Sequence, residues 1–424
     1  MDVNRKTAYD VLLDVEKNGA YSNFALNHFI WRNHPENEAF VRELVYGVLE
    51  TKMLLDYYLD ALIPSGTKKL KKQDLTLLRR GVYQLRSMDS VPQYAAVNET
   101  VNMAKRLAKG RDRFINGVLR GYIKKSEEIQ LPSREAQLTE YLSIAYSIQP
   151  QIVKLWLAEY GEQQTEEILA AVNRAPRMTV RVNQMKISRT ELAERLRQEG
   201  FDAEESEKTP RGLTVSGSRI LESKAYKEGL FSVQDLASIM VSDILDAKPG
   251  QTVIDVCAAP GGKTLATAEM MENRGKIIAM DVYEHKLVLI EKQAQRCGID
   301  IIETKCHDST EAAEELQETA DCVLADVPCS GLGVIGRKPE IKYKEDLDLQ
   351  ELTLRQAKIL DAAASYVKPG GTLVYSTCTI NQDENERQIE RFLENHKDFK
   401  AEKALQLLPT EGTDGFFICK MTRG

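Results

Sequence analysis

The stretch that most constrains this chain is Asp255-Val256-Cys257-Ala258-Ala259-Pro260-Gly261-Gly262-Lys263-Thr264. The apolar run Thr252 to Val256 ahead of it reads as a strand, and Leu265 to Met271 behind it reads as a helix. A strand must therefore pass through two adjacent glycines into a helix. Glycine tolerates backbone angles closed to other residues, and the first amides of a helix have no partner within it. The product is a turn that lets a ligand approach the main chain at the carboxyl end of a strand.

From Gly250 onward strands and helices alternate. Thr252 to Val256, Lys276 to Asp281, Ile301 to Lys305, Cys322 to Asp326 and Thr372 to Ser376 are predicted strands; helices are predicted around 265–273, 284–297, 311–318, 347–366 and 382–395. Such alternation predicts a parallel sheet covered on both faces. Gly415 to Met421 is expected to add a last strand at the sheet edge.

The first third differs. Ala8, Val11, Leu12 and Val15, then Leu44, Val48 and Leu55, then Leu75, Leu78, Val82 and Leu85 recur at helical spacing, so residues 1–130 predict a helical bundle. Residues 126–140, with Pro132 and Ser133, read as a linker. A small α/β module is expected over 141–230, with helical runs at 152–157 and 164–172. Its strands are Met178 to Asn183, Leu213 to Val215 and Leu230 to Val233, and Ser188 and Glu191 form a capping box on a helix through Leu192 and Leu196. The last domain then spans 231–424, entered by a helix headed by Gln234 and Asp235.

A chain of 424 residues predicts several domains, and 42% apolar with 29% charged residues excludes a disordered chain. The formal charge of −7 argues against a nucleic-acid binder until it is divided along the chain: residues 1–130 hold 21 Lys and Arg against 16 Asp and Glu. Lys68, Lys69, Lys71 and Lys72 form one basic cluster, and Lys105, Arg106, Lys109, Arg111 and Arg113 another, where phosphate contact competes with an ordinary solvated face. No signal peptide and no apolar run of membrane-spanning length is visible, so a cytoplasmic protein off the membrane is expected. The seven cysteines form no C-x-x-C pair, which argues against a zinc ribbon or a disulfide scaffold; no metal is expected.

Gly262-Lys263-Thr264 imitates the end of a phosphate-binding loop, but that pattern needs glycine where this chain has Cys257, and the G-x-G-x-x-G of a dinucleotide site is missing. Asp281 ends the second strand twenty positions after Gly261, where a carboxylate can accept from ribose hydroxyls, and Asp308 follows the third strand, where it can meet an adenine edge. Each aspartate alone reads equally as a turn residue. Together with the glycine turn they describe a nucleoside pocket that fits S-adenosylmethionine. Asp326-Val327-Pro328-Cys329-Ser330-Gly331 and Ser376-Thr377-Cys378-Thr379 each end a strand with a cysteine. A thiolate is a strong nucleophile for an electron-poor ring carbon, and its addition at carbon 6 of cytosine makes carbon 5 able to take a methyl group. Asp326 is placed to stabilise the adduct at ring nitrogen 3. This chemistry alone does not choose between Cys329 and Cys378, and a binding protein with a vestigial fold or a DNA cytosine methyltransferase remains open.

Those motifs resemble the RNA cytosine-carbon-5 methyltransferases. Arg42 to Leu49, Leu78 to Leu85, Val97 to Val101 and Phe114 to Arg120 resemble the NusB-type RNA-binding helical domain. The whole chain thus resembles the RsmB (Sun/Fmu-type) family acting on 16S ribosomal RNA. The resemblance implies a NusB-like bundle, a small α/β module and a Rossmann-like S-adenosylmethionine-dependent methyltransferase domain. It implies attack by Cys378, release assisted by Cys329, and a role for Asp326. It also implies cofactor contacts from Cys257, Ala258, Ala259, Pro260, Gly261, Gly262 and Lys263, with Asp281, Asp308 and Asp326. The expected partner is 16S ribosomal RNA or an early small-subunit assembly intermediate, met by a monomer.

Overall fold

The computed structural model describes residues 1–217, 219–344 and 347–424. The chain divides into two compact units, one of residues 1–173 with 337–345 and the other of 174–336 with 346–424.

The first unit is helical: α1 (Val3–Asn18), α2 (Ser22–Asn33), α3 (Glu38–Glu50), α4 (Lys52–Leu62), α5 (Lys72–Ser87), α6 (Gln93–Leu107), α7 (Asp112–Lys125), α8 (Leu138–Tyr146) and α9 (Pro150–Val172). Asp2 and Asn37 cap α1 and α3 by accepting from the amides of Arg5 and Phe40. The apolar stripes close over one core containing Leu26, Leu44, Leu55, Leu59, Leu78 and Leu119. Gly47 is a contact point between helices, since a Cβ there would lie 1.9 Å from the Tyr83 ring. Arg79 and Arg80 point inward: Arg79 makes two 2.6 Å bonds to Asp56, and Arg80 donates to Arg5 O at 2.9 Å. Of the second basic cluster, Arg111 is paired with Asp74 at 2.9 Å, whereas Lys105, Arg106, Lys109 and Arg113 are exposed.

Residues 337–345 complete this unit. Lys342 is fully buried and donates to Glu50 O (3.1 Å) and Asn173 Oδ1 (2.6 Å). Burial pushes its pKa down to about 8, against the opposing pull of Glu50. The Tyr343 hydroxyl donates to Leu49 O and accepts from the amide of Lys52. This compact unit runs through Asn173 and takes in α8 and α9.

In the second unit, β1 (Met178–Val182), α10 (Arg189–Gln198), β2 (Asp202–Glu205), β3 (Gly212–Ser216), α11 (Lys224–Lys227) and β4 (Phe231–Val233) form a four-stranded antiparallel sheet ordered β2-β3-β1-β4. The Ser188–Glu191 capping box is present.

After α12 (Leu236–Leu245) come β5 (Thr252–Asp255), α13 (Gly262–Met270), β6 (Lys276–Asp281), α14 (Glu284–Cys297), β7 (Ile302–Cys306), β8 (Ala320–Asp326), α15 (Leu349–Tyr366), β9 (Val367–Thr377), α16 (Glu386–Asn395), β10 (Phe399–Leu407) and β11 (Phe416–Arg423). The sheet order is β10-β11-β9-β8-β5-β6-β7, with β5 to β9 parallel and β11 antiparallel to both neighbours. The chain lays β6 and β7 outward on one side of β5, then returns to place β8 on the other. This reversal opens a crevice at the carboxyl ends of β5 and β8.

Two expectations are corrected. The helix predicted at 311–318 is a single 3-10 turn at Glu314–Leu316, because the amide of Ala313 is taken at 2.8 Å by the Tyr366 hydroxyl and not by a helical carbonyl. The last strand is not at the edge: β11 lies between β9 and β10. Sequence periodicity missed β10 because its middle residues are exposed and charged, as edge strands often are.

Candidate active site

The glycine turn is set by its own main chain. The amide of Ala258 donates to Met280 O at 2.8 Å, tying the turn to β6, and the amide of Gly261 donates to Ala258 O at 2.7 Å. Gly261 has φ +101°, and a Cβ there would meet Ile290 at 3.1 Å, so glycine is required twice over. Beneath the turn Asp255 is buried and accepts from Thr264 Oγ1 at 2.7 Å. Burial raises its carboxyl to about 7, with Asp326 adding to the rise while Thr264 and Lys263 oppose it. Burial also pushes the Cys257 thiol up, helped by the surrounding aspartates, so it stays protonated. Pro260 is exposed and Ala259 half-buried, leaving the turn open on its outer side.

The turn has a brace that sequence reasoning missed. Arg181 of β1 is fully buried, donates to Gly262 O at 2.8 Å and holds Glu269 of α13 through two 2.8 Å bonds. Gln234 accepts from the same guanidinium. The available signal was a charged residue between Val180 and Val182 in a predicted strand.

Asp281 ends β6, where its carboxylate accepts from the amide of Tyr283 at 3.0 Å and lies 3.7 Å from Lys286. Asp308 follows β7 and is exposed; hydrogen bonds from the amide and hydroxyl of Thr310 hold its carboxyl below the usual range. Next to it, Ser309 Oγ donates to Val256 O at 2.6 Å, fixing this loop against the end of β5.

Across the crevice, Asp326 ends β8 in register with Ser376 of β9. It accepts from Ser376 Oγ at 2.7 Å and pairs with Lys263 Nζ at 2.6 Å. Burial would lower the lysine's pKa, but the Asp326 partner outweighs it and the net shift is upward. Three residues past Asp326 and one past β9, the sulfurs of Cys329 and Cys378 lie 3.2 Å apart. Bonding to Cys378, burial and the nearby Glu384 charge all push the Cys329 thiol well up.

A second set of residues without a motif surrounds the thiols. Glu384 is fully buried and accepts from the amide of Ser330 (2.8 Å), Gln356 Nε2 (2.9 Å) and Asn381 Nδ2 (3.0 Å). Gln356 Nε2 also donates to Pro328 O at 2.9 Å, and the Ser330 and Thr379 hydroxyls bond at 2.8 Å. The sequence signal was the polar run Asn381-Gln382-Asp383-Glu384-Asn385, which reads as an ordinary helix entry.

A doubly wound sheet reversing at this crevice, a glycine turn on one wall and paired thiols on the other point to the class: an S-adenosylmethionine-dependent RNA methyltransferase, here preceded by a helical domain. The chain belongs to the 16S rRNA methyltransferase RsmB/F family, whose profile matches residues 242–422, with the NusB family matching 2–124 and the RsmF/B-like ferredoxin-like domain matching 151–220. It is 38% identical to the probable ribosomal RNA small subunit methyltransferase B of Bacillus subtilis, over 99% of this chain and 98% of that one. It is 31% identical to the ribosomal RNA small subunit methyltransferase B of Photorhabdus laumondii, over 92% and 91%. Among solved structures, PH0851 superposes with a TM-score of 0.85 at 28% identity over 98% of both chains. A methyltransferase homolog protein from Pyrococcus horikoshii gives 0.62 at 28% identity, over 68% of this chain and all of that one. Among the described residues no helix is long and apolar enough to cross a membrane, and no cluster of three or more His, Cys, Asp or Glu could hold a metal.

Proposed function

We propose that this chain methylates carbon 5 of a cytosine in 16S ribosomal RNA through a covalent adduct at carbon 6. The observation that carries this reading is the pair of thiols 3.2 Å apart at the carboxyl ends of adjacent parallel strands, with Asp326 beside them.

The residues present fit the cofactor. Gly261 leaves the main chain bare where a side chain would stand, the first amides of α13 are those a helix leaves unpaired, and Asp281 and Asp308 end the next two strands. On this reading Cys257 to Lys263 hold S-adenosylmethionine, with Asp281 at the ribose, Asp308 at the adenine edge and Asp326 completing the wall. Bound there, S-adenosylmethionine supplies an electrophilic methyl group.

The protein's own residues do the rest. Cys378, as thiolate, forms a bond to carbon 6 of a cytosine unstacked from the RNA, and the electron pair displaced into the ring makes carbon 5 nucleophilic. Ring nitrogen 3 takes up a proton from solvent on attack and returns it on release, and Asp326 holds the nitrogen while it is protonated. After methylation, Cys329 as thiolate takes the carbon 5 proton, the sulfur–carbon 6 bond breaks, and its electron pair returns to Cys378. One proton leaves to solvent per turnover, because Cys329 must shed its own before taking that of carbon 5. The raised basicity of Cys329 suits the second role.

We further read residues 1–130 as the RNA-gripping part, 141–230 as a pre-domain and 231–424 as the catalytic part of a cytoplasmic monomer acting on 16S ribosomal RNA or an early assembly intermediate. The test is a denaturing gel of protein with small-subunit ribosomal RNA and S-adenosylmethionine. Cys329→Ala is expected to trap a covalent RNA adduct and Cys378→Ala to form none. The reverse pattern would make Cys329 the nucleophile.

A further inference from the structure

We infer that Glu384 is a positioning residue for the release step, clamping the Pro328-Cys329-Ser330 turn onto the segment after Cys378 so that the two sulfurs stay together. The inference rests on the two-cysteine reading above. Cys329 sits on a turn after the end of β8, where no strand ladder fixes it. The Ser330–Thr379 hydroxyl bond and the Gly333 amide on Cys378 O tie the turn to the Cys378 segment, and Glu384 adds the bonds that flank Cys329 itself: Glu384 Oε2 takes the Ser330 amide at 2.8 Å and Gln356 Nε2 at 2.9 Å, and that same nitrogen donates to Pro328 O at 2.9 Å. The peptide groups on both sides of Cys329 are thus pinned through a single anchor. On the other side Glu384 Oε1 takes Asn381 Nδ2 at 3.0 Å, three residues past Cys378, and the Glu384 carbonyl accepts from the Tyr375 hydroxyl at 2.7 Å.

Glu384 is fully buried, and among the described residues it has no lysine or arginine partner. All its side-chain partners donate, which is the pattern of an ionised carboxylate. Burying a carboxylate without a cation is costly, and its three donors offset part of that cost. Here it joins two loops that the sequence separates by about fifty positions.

The full-length protein tests this with three variants, Glu384→Gln, Gln356→Met and Cys329→Ala, each incubated with small-subunit ribosomal RNA and S-adenosylmethionine. Glu384→Gln keeps the shape but turns a donor toward donors; Gln356→Met removes the shared nitrogen without touching the carboxylate. With both cysteines intact, each is expected to accumulate the covalent RNA adduct seen in Cys329→Ala. A release thiol displaced by about 1 Å slows turnover on the order of 100-fold, with KM for RNA and S-adenosylmethionine within about twofold. A purely structural role would lower adduct and turnover together. If Cys329→Ala traps adduct and neither other variant does, the Glu384 inference is overturned and the two-cysteine reading survives. If Cys329→Ala itself traps none, the underlying reading has failed. Should Glu384→Gln not fold, Gln356→Met alone decides.

Discussion

The two walls of the crevice are built in different ways. The wall with the glycine turn is made from consecutive residues, 255–264, shaped by main-chain bonds such as Ala258 to Met280 and braced from outside by the side chains of Arg181 on Gly262 O and Ser309 on Val256 O. The wall with the thiols is made from residues 326–330, 356 and 376–385, held almost wholly by side chains. A main-chain wall tolerates most changes to its own side chains but fails at a glycine or at its buried brace. A side-chain wall fails wherever one partner is lost.

That contrast predicts a graded set of outcomes. The largest belongs to Cys378→Ala: methyl transfer should fall by about 10⁴-fold or more while S-adenosylmethionine binding, followed by calorimetry, stays within about twofold. Loss of binding as well would erase the distinction between the walls. Next comes Arg181→Met, which leaves Glu269 buried without its cation; a destabilisation of about 3–5 kcal/mol in urea unfolding is expected, with weakened cofactor binding because Gly262 O loses its donor. Gly261→Ala should cost about 1–3 kcal/mol through its positive φ and weaken S-adenosylmethionine binding, yet leave the thiols able to form adduct at saturating cofactor. The last outcome concerns pH. Asp255 has a folded pKa raised from 3.8 to about 7, so its contribution to stability is fully present below about pH 4 and is lost as the pH rises through 7. Asp255→Asn should remove that decline, so that the difference in melting temperature between wild type and variant changes from pH 4 to 7 and is flat above. A parallel profile would mean that Asp255 titrates normally.

The same contrast explains what was legible. The glycine turn, the parallel strands and the strand-ending aspartates carry their signal in adjacent residues, so local pattern was enough for them. The cysteines were visible as residue types at strand ends, although their 3.2 Å separation depends on β8 and β9 pairing in register. Glu384, Gln356 and Arg181 were not legible, because each acts through partners distant in sequence and none breaks a local rule strongly enough to be noticed. The edge strand β10 was hidden by its exposed charges, and the 3-10 turn at 314–316 by a hydroxyl fifty-three positions away that captures its amide.

The seat of Lys342 and Tyr343 in the helical unit has a consequence for how the protein is made. Domains usually mature in the order in which they leave the ribosome. Here the seat is formed by Leu49, Glu50, Lys52 and Asn173, but its occupant is not synthesised until most of the second unit has been translated. At about 5–20 residues per second the seat waits roughly ten to thirty seconds. Through that interval the nascent helical bundle carries an open slot, and a chain arrested before residue 337 never fills it. The amino-terminal third is therefore first to emerge and among the last to be finished.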